Sequence, residues 1–271
     1  MPSYFLSMNP LVELEENLPN LAPLDDPTVV KLIRGARGVV MPPGLRPARY
    51  RKIAALARDW FPRLEAKFSY PGKTRQTMLF QHLAVRHPRT AIFHNRQHLL
   101  MQTVDGLPLA YPFVLKGDRG GGGVAVFPVC NSLELEAALG KLPEGEPLLI
   151  QEWIKHQGRD LRVVVVGARI VSYFRVGNGG FYNNICRGGR IDRHGRPKQQ
   201  MAGIRAVARF CKVADINLAA FDLMFPDQGP PMFIEINFNF GRKGLGGTAG
   251  YRRLFQQAVA LWQQGRCYPD C

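Results

Sequence analysis

Three side chains in the stretch AAFDLMFPDQGPPMFIEINFN, residues 219–239, carry oxygens suited to a hard divalent cation. They are Asp222, Glu235 and Asn237. Strand side chains alternate faces, so Glu235 and Asn237 point one way and Ile236 the other. A symmetric hairpin turning between Gln228 and Gly229 sets Asp222 directly opposite Glu235, with Asn237 beside them. Phe221, Leu223, Phe225, Phe233 and Ile236 surround the pair in sequence. Two carboxylates in an apolar setting repel each other unless a cation lies between them. Two acids and an amide oxygen, with no Cys or His, suit Mg²⁺ or Mn²⁺. The alternative is a solvated edge hairpin.

A second constellation is Lys116-Gly-Asp-Arg followed by Gly120, Gly121, Gly122 and Gly123. Four consecutive glycines let backbone N–H groups approach phosphates closely, and Lys116 supplies a point charge at the end of a strand. Gly72-Lys73-Thr74 is no Walker A loop, because Lys67 stands where its first glycine is needed. Gln151, Glu152, Trp153 and Ile154 close an apolar strand whose end can offer backbone groups and apolar cover to a flat base. Asp160 and Arg162 share a strand face, and Arg175, Asn183, Asn184 and Arg187 follow; an Arg–Asn cluster can hold carboxylate or phosphate oxygens. His94 and His98 lack a third ligand, and no GxSxG nucleophile elbow is present.

The elements that must position these groups read as a mixture. Gly38–Met41 reads as a buried strand, Pro47–Trp60 and Thr74–Val85 as helices, and residues 1–30 as an irregular arm. From about Leu107 the pattern turns to strands: Tyr111–Leu115, Val124–Val129 and Leu148–Ile154. A helix capped by Ser132 interrupts them. Arg162–Val166 and Arg169–Phe174 form a hairpin around Gly167, and Ala219–Phe225 with Met232–Phe238 form another. Helices are expected over Ala202–Ala214 and Tyr251–Gln264. Without a strict βαβ rhythm, the fold class is α+β with antiparallel sheets.

The 271 residues suffice for nearly two domains, and 46% apolar with 21% charged residues is ordinary globular composition. No apolar run reaches membrane-spanning length, and the first residues have the wrong charge order for a signal peptide. Five scattered cysteines without a CxxC suit a reducing cytoplasm. Net charge is +15, but residues 1–30 hold five acids and no Lys or Arg, which leaves +20 on the rest. That balance favours an anionic partner without choosing it.

Taken in order, YPFVLKGDRGGGGVAV, LLIQEWIKHQGRDLRVVVVGARIV, GGFYNNICRGGRI and the Asp222…Glu235-Ile-Asn237 hairpin resemble the ATP-grasp superfamily, most closely the RimK-type glutamate ligases. The resemblance runs from about Pro71 to the C-terminus. It implies two α/β subdomains clamping ATP: a flap or lid at about 96–150 and a catalytic part at about 151–271, both within an ATP-grasp domain at 71–271. Residues 1–70 would be a shortened N-terminal α/β domain. It further implies that Lys73, Lys116 and Gly120–Gly123 hold the phosphates of ATP. Gln151, Glu152, Trp153 and Ile154 would hold adenine, and Asp160, Tyr182, Asn183 and Asn184 would contact the nucleotide. Asp222, Glu235 and Asn237 would bind Mg²⁺ or Mn²⁺, two ions in all, while Arg187, with Arg162 and Arg175, would steady the reacting carboxylate. The implied activity joins a small-molecule or peptide carboxylate to an amine acceptor in the cytoplasm, with no membrane partner, nucleic acid disfavoured and a homo-oligomer open. An ATP-grasp kinase, a non-catalytic ATP-binding regulator and a nucleic-acid-binding protein are the competing readings. The chain departs from the family after Asn237: Phe238-Asn239-Phe240-Gly241-Arg242-Lys243 stands where a small residue and Pro-Gly are usual.

Overall fold

The computed structural model describes residues 4–102, 106–179, 181, 183, 188–226 and 229–270. Three sheets organise the chain. The first is parallel and built from two-residue strands, β1 (Leu6–Ser7), β2 (Glu16–Asn17), β3 (Val39–Val40) and β4 (Trp60–Phe61), in the order β2-β1-β3-β4. Helices α1 (Pro27–Gly35) and α2 (Pro47–Leu56) connect them. Asp26 caps α1 by accepting from the Thr28 N–H at 2.7 Å, and proline opens both helices at a position where no amide donor is needed. Residues 4–30 are therefore not an irregular arm: Leu6, Met8, Ala22, Leu24 and Val29 enter a core with Ile33, Tyr50 and Ile53. Strands this short leave no alternation to read. Trp60 belongs to β4 rather than α2, which ends when Ala57 turns extended.

Helices α3 (Glu65–Ser69) and α4 (Gly72–His82) lead to the second sheet, β5 (Thr90–Phe93), β6 (Phe113–Gly117), β7 (Val126–Val129) and β8 (Leu148–Glu152), antiparallel in the order β5-β8-β6-β7. Helices α5 (Arg96–Gln102) and α6 (Ser132–Leu139) pack on it through Leu99, Leu135 and Leu139. The cap of α6 is Asn131, not Ser132; its Oδ1 accepts from the Glu134 N–H at 2.9 Å. The glycine-rich loop joins β6 to β7.

The third sheet holds β9 (Arg159–Val166), β10 (Arg169–Val176), β11 (Arg190–Asp192), β12 (Leu218–Met224) and β13 (Met232–Asn237), in the order β11-β10-β9-β12-β13 and antiparallel throughout. Leu161, Val163, Val165, Phe174, Phe221, Leu223, Phe233 and Ile236 line one face, against α7 (Pro197–Val213) and the Leu79–Phe80 turn of α4. The opposite face is divided. Val164, Val166, Leu218 and Ala220 are covered by α8 (Gly247–Gln263), which also touches Val40 and Phe61 of the first sheet. Asp160, Arg162, Arg175, Asp222, Glu235 and Asn237 occupy the uncovered half. The free edge of β13 is taken up by Gln76 of α4: its Oε1 accepts from the Ile236 N–H at 2.8 Å and its Nε2 donates to the Ile236 carbonyl at 2.9 Å. Among the described residues, no helix is long and apolar enough to cross a membrane.

Candidate active site

A cavity of 430 Å³ separates the second and third sheets, floored by the uncovered half of the third and roofed by the glycine-rich loop. Asp222 stands opposite Glu235, and Ala220 opposite Asn237, as a symmetric hairpin requires. Beyond Asp222 the register slips by one, so Leu223 faces Phe233 and Ile234 is the extra residue of a bulge. The bulge turns Phe233 into the apolar face while Glu235 stays in the cavity.

The surroundings of the carboxylates differ from the sequence expectation. The phenylalanines and leucines adjacent in sequence lie on the other side of the sheet. On the cavity side a register row runs Tyr173, Arg162, Asp222, Glu235 across four strands. Arg162 grips Asp222 with both prongs, Nε to Oδ1 and Nη2 to Oδ2, each at 2.8 Å. Arg175 Nη2 lies 3.0 Å from the same Oδ2, and Asn237 Nδ2 donates to it at 3.0 Å. Arg175 in turn holds Asp160 through two bonds of 2.7 Å. Burial pushes the Asp222 carboxyl up, but Arg162 and Arg175 outweigh it and hold the group down at about 2. Burial likewise opposes the charge on Arg175, and Asp222 and Asp160 overcome it, leaving the guanidinium well above its ordinary value. The cations that neutralise Asp222 are thus two arginines of the chain itself.

Glu235 is less encumbered, with Lys73 Nζ at 3.6 Å from Oε1. Lys73 also donates to the Gly120 carbonyl at 2.9 Å, so the first turn of α4 touches the loop. Lys116, at the end of β6, donates to Gln151 Oε1. Burial lowers its pKa to about 8, with Lys73 adding to the effect and Glu235 and Asp222 opposing it. The far end of the cavity is apolar. Trp153, Ile154, Val114, Val126 and Met224 line it, and the Trp153 ring packs 5.1 Å from that of Phe181. Here Asn183 is buried, its Nδ2 is 3.2 Å from His156 Nδ1, and its Oδ1 has no partner among the described residues. His156 is held below its ordinary pKa by burial, against the pull of Asp160.

The residues singled out from sequence converge here: Lys73, Lys116, Gly120 to Gly123, Gln151 to Ile154, Asp160, Arg162, Arg175, Asn183, Asp222, Glu235 and Asn237 all line the one cavity. Tyr182, Asn184 and Arg187 lie outside the described residues. Sequence reasoning missed His156, Phe181 and Met224 as lining residues, while Phe240 and Lys243 belong to the segment that departs from the family pattern after Asn237. Met224 was within reach, since it follows Asp222 by two on a strand and must share its face.

The RimK-like ATP-grasp domain family matches residues 72–252, about two thirds of the chain. The chain belongs to that family. As an ATP-grasp protein it is 29% identical over 167 residues to beta-citrylglutamate synthase B of Danio rerio, covering 60% of this chain and 41% of that one. It is 28% identical over 185 residues to a probable alpha-L-glutamate ligase of Citrobacter koseri, covering 66% of this chain and 59% of that one. The chain spans only about two fifths of the vertebrate synthases it matches. The crystal structure of the VanG D-Ala:D-Ser ligase from Enterococcus faecalis shares the ATP-grasp fold, with a TM-score of 0.61 and 15% identity over 84% of this chain and 73% of that one. The α+β architecture of an ATP-grasp fold, expected from the sequence, is the fold observed.

Proposed function

We infer that the protein is an ATP-dependent ligase that activates a carboxylate as an acylphosphate and joins it to an amine. The observation that carries this reading is the convergence, in one cavity, of an apolar slot, two lysines under a glycine-rich loop, and an oxygen-rich row on the sheet floor. The slot between Trp153, Ile154 and Phe181 suits a flat purine, and Asn183 Oδ1, without a partner among the described residues, is an acceptor that a ligand donor can meet. Lys73, Lys116 and the loop amides would neutralise the phosphates.

The donor set fits a hard divalent cation, Mg²⁺ or Mn²⁺, through Glu235 and the Asn237 amide oxygen; Asp222, whose oxygens already accept from arginines, would share in it. Such ions, two in the ATP-grasp pattern, would withdraw charge from the phosphates. The substrate carboxylate attacks the γ-phosphorus and releases ADP; the amine then attacks the acyl carbon and releases phosphate. Arg162 and Arg175 are anchored by Asp222 and Asp160, so their guanidinium groups are held in fixed positions on the floor. Arg187, proposed from its Asn-x-x-Arg-Gly-Gly setting, would hold the activated carboxylate. The loop roof keeps water from an intermediate that water destroys. The same reading divides the chain into residues 1–70 and 71–271, with a lid whose sheet takes in Thr90–Phe93 as well as the 96–150 segment.

Phosphate release measured across a panel of acids and amines, with mass spectrometry of the products, tests the reading. An amide product is expected; a phosphorylated product without amide would make the protein a kinase. On a substrate so found, Arg187→Lys should depress ligation far more than ATP affinity, because a lysine cannot reproduce the guanidinium fork. Equal kcat and KM in that variant would remove Arg187 from substrate recognition.

A pH dependence also follows. In the free protein Lys116 is protonated below about 8 and neutral above it. ATP affinity should therefore fall as pH rises through about 8, and binding near that pH should take up a proton as phosphate raises the lysine's pKa. Calorimetry in buffers of different ionisation enthalpy measures both; a flat profile with no proton uptake would take Lys116 off the phosphates.

A further inference from the structure

Asp118 lies in the loop after β6 and is buried, yet nothing in the chemistry above uses it. It is not among the residues that line the cavity. Oδ1 accepts from the Thr74 N–H at 2.8 Å and from the Thr74 hydroxyl at 2.6 Å, and the Asp118 carbonyl accepts from the Lys73 N–H at 3.0 Å. Helix α4 has no cap of its own, because the residue at its N-cap is Pro71. Asp118 supplies the missing cap from 44 residues away, and its negative charge meets the positive end of the helix dipole. The fit is close: a Cβ on Gly72, whose φ is +80°, would fall 2.1 Å from Asp118 Oδ2. The Gly-Lys-Thr triplet is thus accounted for. The threonine hydroxyl is committed to Asp118.

The placement of the two partners gives this contact its meaning. Helix α4 belongs with the third sheet: Gln76 is bonded to Ile236 of β13, and Phe80 sits in the core beneath Phe210 and Phe233. Asp118 belongs with the second sheet, continuing β6, and its N–H donates to the Pro147 carbonyl at 3.0 Å. The bond therefore ties the lid sheet to the helix packed on the floor sheet. It does so one residue from Lys73 and two from Gly120, which are themselves joined by the Lys73 Nζ bond to the Gly120 carbonyl.

We propose that Asp118 is a positioning residue that clamps the root of the glycine-rich loop to the first turn of α4, so that Lys73 and the loop amides meet a phosphate as one unit. The proposal rests on the nucleotide-binding reading of the cavity. Without the clamp, Lys73 moves with the floor and the loop with the lid, and the lysine's contribution is diluted over many geometries.

A double-mutant cycle tests it, with calorimetric binding of the non-hydrolysable analogue β,γ-imido-ATP in the presence of Mg²⁺. Lys73→Ala should weaken binding about tenfold in the otherwise unaltered protein and less than about twofold in an Asp118→Ala background, because coupled residues are not additive. Asp118→Asn keeps an oxygen acceptor for Thr74 and should restore affinity to within about threefold. If Asp118→Ala does not fold, Thr74→Val, which removes only the hydroxyl bond, takes its place in the cycle and should show the same direction of coupling. A purely structural cap would lower Tm while the Lys73→Ala loss stayed about tenfold in both backgrounds, and that additivity would overturn the proposal. Absence of analogue binding to the unaltered protein would overturn the nucleotide reading itself, and this proposal with it.

Discussion

Glu235→Gln is expected to leave the fold standing and remove turnover. The side chain is partly exposed, and its one ion pair among the described residues, to Lys73, is a loose 3.6 Å contact. Pairs of that kind are worth at most about 1 kcal/mol, so Tm should move by only a few degrees. The cavity, by contrast, loses its least encumbered anionic oxygen. Removal of a metal contact worth several kcal/mol should slow phosphate release by roughly 10²- to 10³-fold. Retention of full activity with Mg²⁺ in the glutamine variant would show that Glu235 holds no ion.

Asp222→Ala should behave in the opposite way and fail first as a fold. Its carboxylate stands between two guanidinium groups, and its side chain is only 7% exposed. Without it, Arg162 has no acid partner among the described residues, and Arg162 and Arg175 face each other as buried like charges. Breaking such a network costs about 3–5 kcal/mol. The sign of the pH effect follows from the lowered pKa. The folded protein binds the Asp222 proton at about 2 and the unfolded chain at 3.8. The stability from this carboxylate is present above the unfolded value and is lost as pH falls through about 2. Urea melts between pH 6 and 2 should show a flatter acid limb in Asp222→Ala than in the unaltered protein. Identical limbs would mean that the arginines do not govern Asp222.

The opposition of Asp222 and Glu235 was legible because strand alternation and a symmetric turn are local rules. The bulge at Ile234 was not, since one extra residue in a strand leaves no compositional mark. The shared face of Asp160 and Arg162 could be read from their spacing. That Arg162 closes on Asp222, 60 residues away, could not, because the order β10-β9-β12 decides it. The phenylalanines next to the two carboxylates in sequence are not their surroundings: alternation sends Phe221 to the α7 side, and the bulge at Ile234 sends Phe233 there. The first 30 residues were misread for the reverse reason: strands of two residues carry too little pattern to register. Asp118 was in plain view, but a cap supplied across 44 residues has no sequence signature.

The Gln76 amide on β13 has a consequence for association. A strand at the end of a sheet presents a row of unpaired backbone groups, a template on which another chain can add. Here the carboxamide of a helix residue takes the donor and the acceptor of Ile236 together, much as a peptide group of a neighbouring strand would. Phe233 adds to this by donating its N–H to the Arg86 carbonyl at 2.8 Å. The strand that carries Glu235 and Asn237 is thus closed to intermolecular pairing by its own chain. Redesign of the cavity for another substrate can therefore alter much of its lining, but a version that shortens Gln76 would trade specificity work for a sticky edge and a tendency to aggregate.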